Sequence, residues 1–119
     1  MKPNTYFKEL YCFDKRKEDS KQIQSQFPCR IPVICERYKY STNTPLIDKK
    51  KYLVPLNITM GEFIGLIRKR MKIRSDMALF CFTGGFMTSN AQFMANLYSE
   101  YRDEDGFLYI YYATENTFG

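Results

Sequence analysis

Chemistry in a chain of this size rests on a few side-chain types, and one of them is missing: the 119 residues include no histidine. That removes the commonest general base, the commonest metal ligand and the side chain that titrates nearest neutrality. Serine or cysteine triads of the usual kind, and zinc sites with mixed Cys/His ligands, are therefore excluded. The four cysteines are Cys12, Cys29, Cys35 and Cys81, and no two stand two to four residues apart, so the paired spacing of a zinc ribbon is absent as well. Cys35 and Cys81 lie inside apolar runs and read as core thiols. No paired carboxylates and no nucleophile–base pair can be picked out. The chain reads as a non-enzyme that needs no cofactor and no metal, and its chemistry is to be sought in surfaces that bind.

Composition agrees. Aromatic residues make up 17% of the chain, ten Tyr and ten Phe without Trp, more rings than so small a core needs, so some are expected to line surface pockets. At 45% hydrophobic and 26% charged, the chain can build one core without disulfide or metal staples. Charge is unevenly spread: residues 1–74 hold 17 of the 18 basic side chains and 7 of the 13 acidic ones, whereas 75–119 are net negative. Such polarity suits acidic partners for the first part. Nucleic acid is not expected, because the acidic final third would repel phosphate and the aromatic strands lack the arrangement of an RNA-recognition motif. Nothing resembles a signal peptide, and no apolar run approaches the ~18 residues of a membrane span, so the expected compartment is the cytoplasm.

The elements that must position any binding surface follow from periodicity. Asp14–Gln26 carries charge nearly throughout, with Ile23 as its main apolar contact, and Pro28 stops it; it reads as an exposed helix leaning on something larger. A shorter helix around Thr5–Tyr11 precedes it. Arg30–Arg37 (RIPVICER) sets Ile31, Val33 and Cys35 on one face against Pro32, Ile34 and Glu36 on the other, a period-two strand. Lys51–Leu56 (KYLVPL) is a second strand, and Pro55, which cannot donate to a ladder, assigns it to a sheet edge. Thr59-Met60-Gly61-Glu62 has the form of a capping box and opens an amphipathic helix over Met60–Met71. Ala78–Thr83 is a third strand ended by Gly84-Gly85, and Ala91–Tyr101 reads as a helix with Phe93, Met94, Leu97, Tyr98 and Tyr101 on one side. Phe107–Ala113 (FLYIYYA) is apolar on both faces, which marks a central strand. The order predicts an α+β protein of β-grasp type: a four-stranded mixed sheet with packing helices, the last strand parallel to the first, and one or two helices added in front. The tail Thr114–Gly119 is expected to have nothing left to pair with.

Six segments then become familiar together: FDKRK (Phe13–Lys17), FPCRIPVICER (Phe27–Arg37), DKKKYLVP (Asp48–Pro55), LIRKRM (Leu66–Met71), DEDGFLYIYY (Asp103–Tyr112) and ENTFG (Glu115–Gly119). In this order, from about Tyr6 to the last residue, they resemble the GABARAP family of autophagy ubiquitin-like modifiers. The sequence departs from the family pattern at Gly84-Gly85-Phe86-Met87, at Gly106, where a bulky residue is common, and in a slightly long loop over Tyr38–Ile47. The resemblance implies a helical extension over 1–28 and a ubiquitin-like domain over 29–119, forming one compact unit.

It also implies two activities. The terminal glycine, here Gly119, would be activated by an E1-like enzyme, passed on as a thioester through an E2-like enzyme, and joined to the amine of phosphatidylethanolamine; a cysteine protease would process and deconjugate it. Glycine suits the route because, lacking a Cβ, it can thread narrow active sites. The expected location is then the cytoplasm and, once lipidated, autophagosome or vesicle membranes. The second activity is capture of cargo receptors through aromatic-x-x-aliphatic motifs with acidic neighbours. The aromatic pocket would be lined by Asp19, Ile23, Pro32, Ile34, Lys51, Leu53 and Phe107, and the aliphatic pocket by Tyr52, Val54, Pro55, Ile58, Phe63 and Leu66. Arg30, Lys49 and Arg70 would meet the acidic residues. Ile34, Phe63 and Leu66 carry a second reading, as plain core residues. The rival for the whole chain is a β-grasp peptide-binding adaptor that is never conjugated.

Overall fold

The computed structural model describes residues 5–41 and 43–116. Its elements run α1 (Phe7–Leu10), α2 (Phe13–Gln26), β1 (Arg30–Arg37), β2 (Lys51–Pro55), α3 (Met60–Met71), β3 (Met77–Thr83), β4 (Phe86–Met87), α4 (Met94–Tyr101) and β5 (Leu108–Asn116). Every element expected from periodicity is present, and one is added. Gly84 and Gly85, at φ of +64° and +90°, reverse the chain so that Phe86 and Met87 pair back on Thr83 and Phe82. The sheet therefore has five strands, not four, in the order β2-β1-β5-β3-β4. A two-residue strand is too short to show alternation in sequence, although Gly-Gly is a hairpin signal.

β1 and β5 run parallel, Val33 beside Leu108 through Arg37 beside Tyr112, and the other pairings are antiparallel. β2 lies at one edge, as its proline requires. Alternation on the central strands divides the interior. Ile31, Val33 and Cys35 of β1 and Leu108, Ile110 and Tyr112 of β5 face α3 and α4, forming the larger cluster with Val54, Phe63, Ile67, Met94 and Leu97. Ile34 of β1 and Tyr109 of β5 face the other way and join Phe7, Ile23 and Phe107 in a smaller cluster under α1 and α2.

Local chemistry explains where the helices begin. The Glu62 amide donates to Thr59 Oγ1 at 3.2 Å and the Thr59 amide to Glu62 Oε1 at 3.0 Å, the reciprocal capping box anticipated for α3. α4 starts at Met94, three residues later than periodicity suggested. Hydrogen bonds from Met60 N–H to Gln92 O and from Met94 N–H to Ile58 O, both 2.8 Å, hold the preceding segment extended against the start of α3. α2 buries Arg16 and Ser20 as well as Ile23, one helical face in which only the last member is apolar.

The tail expectation is corrected at its start. β5 runs on past Ala113, with Thr114, Glu115 and Asn116 pairing with Leu79, Ala78 and Met77 of β3. β1 ends its pairing at Arg37 beside Tyr112, and the loop after it takes over on that side: the Thr114 amide donates to Thr44 Oγ1 at 3.0 Å, and the two threonine hydroxyls lie 2.8 Å apart. A side-chain hydroxyl replacing a strand partner leaves no periodic trace in sequence. Gly119 lies outside the described residues.

Candidate functional site

The edge strand β2 supplies the centre of the site because, among the described residues, no strand pairs with its side away from β1, and a row of free backbone donors and acceptors accepts a further strand. On the α1/α2 face, Leu53 stands across from Pro32 and Lys51 across from Ile34; on the α3 face, Tyr52 stands across from Val33 and Val54 across from Ile31. Two neighbouring clefts of opposite facing thus share one strand.

The aromatic-pocket residues named from sequence come together at the α1/α2 face. Ile34 and Phe107 are fully buried in the small cluster beneath the cleft and Pro32 is buried across from Leu53, while Ile23 and the half-buried Leu53 line the cleft from α2 and β2. Asp19 and Lys51 bridge the mouth with an ion pair of 2.5 Å, their side chains about a third to two fifths exposed. The sequence reading missed the opposite wall: Phe7, Leu10 and Tyr11 line the same cleft. Their spacing of three and then one residue was a helical signal in a segment already read as a short helix. Phe7 reaches down to Phe107, its ring 5.3 Å away and nearly perpendicular, and the Tyr11 ring packs on Phe7 at 5.1 Å, tilted by 54°.

On the other face, Val54 and Phe63 belong to the main core, with Phe63 fully buried and the Tyr52 ring perpendicular to it at 5.9 Å. Ile58 is half-buried, Pro55 ends β2, and Leu66 is 51% exposed on α3. Of the three residues with a second reading, Ile34 and Phe63 are core and Leu66 is surface.

The lysine triplet divides three ways. Lys51 pairs with Asp19. Lys50 turns inward to the buried Glu36 carboxylate at 3.3 Å and to the Thr5 carbonyl. Lys49 is exposed, its ammonium 5.1 Å from the Tyr52 ring centre. Arg70, expected to meet a partner's carboxylate, already meets one in this chain: its Nε lies 2.9 Å from Asp48 Oδ1. Asp48 is three quarters exposed, so the pair is weakly held and readily exchanged. Arg30 is exposed at the start of β1, across from Pro55.

A buried ionic junction fixes α2 over this cluster. Asp105, fully buried before β5, accepts from Arg16 at 2.9 Å, from the Tyr109 hydroxyl at 2.5 Å and from the Phe107 amide at 2.9 Å, and its carbonyl accepts from Ser20. Gly106 follows at φ +94°, where a Cβ would also collide with Ser20 Oγ, so both backbone and packing call for glycine here. Glu36 does for α1 what Asp105 does for α2: its carboxylate accepts from the Phe7 amide at 2.6 Å. Burial pushes the Glu36 carboxyl above its usual range, against the pull of that amide and of Lys50. Burial likewise raises the Cys35 thiol well above its usual value and the Cys81 thiol to about 12, so both stay protonated core groups.

Comparison with known proteins agrees with this architecture. The family model described as "Autophagy protein Atg8 ubiquitin like" matches residues 15–119. Autophagy-related protein 8 of Mycosarcoma maydis is 48% identical over 113 residues, 95% of each chain. The protein of that name from Schizosaccharomyces pombe is also 48% identical, over 95% of this chain and 93% of its own. The crystal structure of Trypanosoma brucei ATG8 superposes with a TM-score of 0.88 at 37% identity, covering 97% of this chain and 98% of that one. A β-grasp sheet fronted by two helices, matched in sequence along nearly its whole length, leaves one assignment: the chain belongs to the Atg8 family of ubiquitin-like autophagy proteins.

Proposed function

We propose that this autophagy modifier is joined through Gly119 to phosphatidylethanolamine on autophagosomal membranes and there recruits cargo receptors and autophagy factors by adding their aromatic-x-x-aliphatic segments to β2. The observation that carries the peptide half is the alternation of β2 itself. In an added strand, side chains three positions apart point to opposite faces. The edge offers an aromatic-sized cleft beside Lys51 and Leu53 on one face and apolar ground beside Tyr52, Val54 and Leu66 on the other. Lys49, Arg30 and, on exchange of Asp48, Arg70 answer the acidic neighbours. Residues 1–28 act as a helical extension that walls the cleft, and 29–119 as the ubiquitin-like body.

In the conjugation half the chain is a substrate of E1-like and E2-like enzymes and of a processing and deconjugating cysteine protease, not an enzyme. Among the described residues no helix is long and apolar enough to cross a membrane. The two acyl chains of the lipid, at about 0.8 kcal/mol per buried CH₂, supply the attachment, so the protein divides between cytoplasm and membrane according to its conjugation.

A cell-free conjugation reaction with liposomes tests the covalent half: the wild type acquires a lipid adduct visible by mass spectrometry, and Gly119→Ala does not. Equal behaviour of the two leaves only an unconjugated adaptor. For the peptide half, Lys51→Ala with Leu53→Ala abolishes binding of an acidic aromatic-x-x-aliphatic peptide while the thermal unfolding profile stays that of a folded protein. Unchanged affinity removes the edge-strand reading.

A further inference from the structure

Leu10 and Tyr11 stay 45% and 48% exposed, side by side on the α1 wall of the cleft. The wall is backed by packed rings. Tyr11 rests on Phe7 and Phe7 on Phe107, a run of three rings from surface to floor, and the Glu36 carboxylate holds the start of α1 through the Phe7 amide. The opposite wall carries Lys49, which has no anionic partner among the described residues. Apolar surface in the same cleft as a cation without an anionic partner fits one kind of occupant: an apolar side chain next to a carboxylate.

We propose that Leu10 and Tyr11 form a third anchoring point for the bound peptide, which takes an aliphatic or aromatic side chain two positions from the aromatic anchor, on the side away from the aliphatic residue. The inference rests on the peptide-capture reading above and narrows its partner class to apolar-x-aromatic-x-x-aliphatic segments with a carboxylate near the apolar residue. The spacing comes from strand geometry. Side chains two apart share a face and stand about 6.8 Å apart along the strand, so a residue on the anchor's face in that direction passes from the floor onto the α1 wall. The aliphatic contact lies at the other end of β2, beyond Val54, which sets the direction.

Two synthetic peptides test it, alike in an acidic aromatic-x-x-aliphatic sequence and differing only in Leu or Ser two positions before the aromatic. By calorimetric titration the wild type binds the Leu peptide about tenfold more tightly, the gain of burying one apolar side chain. In Leu10→Ala/Tyr11→Ala, whatever the change in affinity common to both peptides, the Leu/Ser ratio collapses to within about twofold. A wild-type ratio near one, or a ratio the double variant leaves intact, overturns the third anchor alone. If the wild type binds neither peptide, the capture reading falls and takes the anchor with it. Should the double variant lose its cooperative thermal transition, Leu10→Ala alone serves, with an expected threefold fall in the ratio, roughly half the apolar wall; no fall overturns the proposal.

Discussion

The two faces of the sheet are packed by opposite means. Toward α3 and α4, Ile31, Val33, Leu108 and Ile110 meet Phe63, Ile67, Met94 and Leu97 in an apolar layer that contains no buried charge among the described residues. Toward α1 and α2, a smaller apolar cluster is hemmed by Arg16, Glu36 and Asp105, all buried and all hydrogen-bonded. Apolar burial is non-directional and scales with area, so it supplies stability without fixing a single placement. Buried ion pairs are poor sources of net stability but have strict geometry, and breaking one is costly. The difference teaches a division of labour: one face holds the fold, and the other holds α1 and α2 at a set distance from β2, which gives the cleft its shape.

Three substitutions can break or sharpen that division. The largest effect on folding is expected from Ile67→Ala, fully buried in the α3/α4 layer: a loss of about 4 kcal/mol in urea unfolding, with peptide affinity of the folded fraction unchanged. Affinity that falls in step with stability would mean the faces are not separable. Next comes Arg16→Met, which keeps much of the side-chain volume but leaves Asp105 buried without its cation. It is expected to cost about 3 kcal/mol and, unlike Ile67→Ala, to weaken the acidic peptide at least tenfold under conditions where the protein is folded. A stability loss with unaltered binding would reduce the ionic junction to a second core.

The smallest effect concerns pH. The folded Glu36 carboxyl titrates above its unfolded counterpart because burial disfavours its charged form. Between those two values the folded chain holds the extra proton, so this group makes the protein more stable as pH falls through its raised folded value to the ordinary Glu range at ~4.3, with no further gain below it. In Glu36→Gln that contribution vanishes. Urea midpoints taken across this range should show the wild type gaining on the variant as the solution is acidified. Parallel curves would place Glu36 outside the titrating groups that matter.

Legibility followed periodicity. The α3 helix and its cap, the β1 alternation, and the edge position of β2 all carry repeating or local signals, and the structure returned them with the same bounds or within a residue. Less was legible where polar groups act as core. Arg16 and Ser20 lie one turn apart on the face of Ile23, yet a charged residue and a serine add nothing to an apolar stripe, so α2 read as more exposed than it is. The Thr44–Thr114 contact, which continues β5 where β1 has stopped, joins residues 70 positions apart and no pattern predicts it. In the cleft, the aromatic-pocket floor was named through family resemblance, but its α1 wall was not, because Phe7, Leu10 and Tyr11 read as a minor helix with no stated destination.

By itself the sequence determined what the chain is built from: it carries no histidine and no closely spaced cysteines, and its alternations and caps specify a β-grasp order with a proline-marked edge. Those properties are local, set by residue type and by spacings of two or 3.6. Tertiary structure alone decided which lysine of the triplet has no anionic partner among the described residues, that Asp48 already occupies Arg70, that β5 is held through Asn116, and that α1 becomes a wall of the cleft. Each depends on a partner distant in sequence, and long-range pairing of charges and hydroxyls has no period to read.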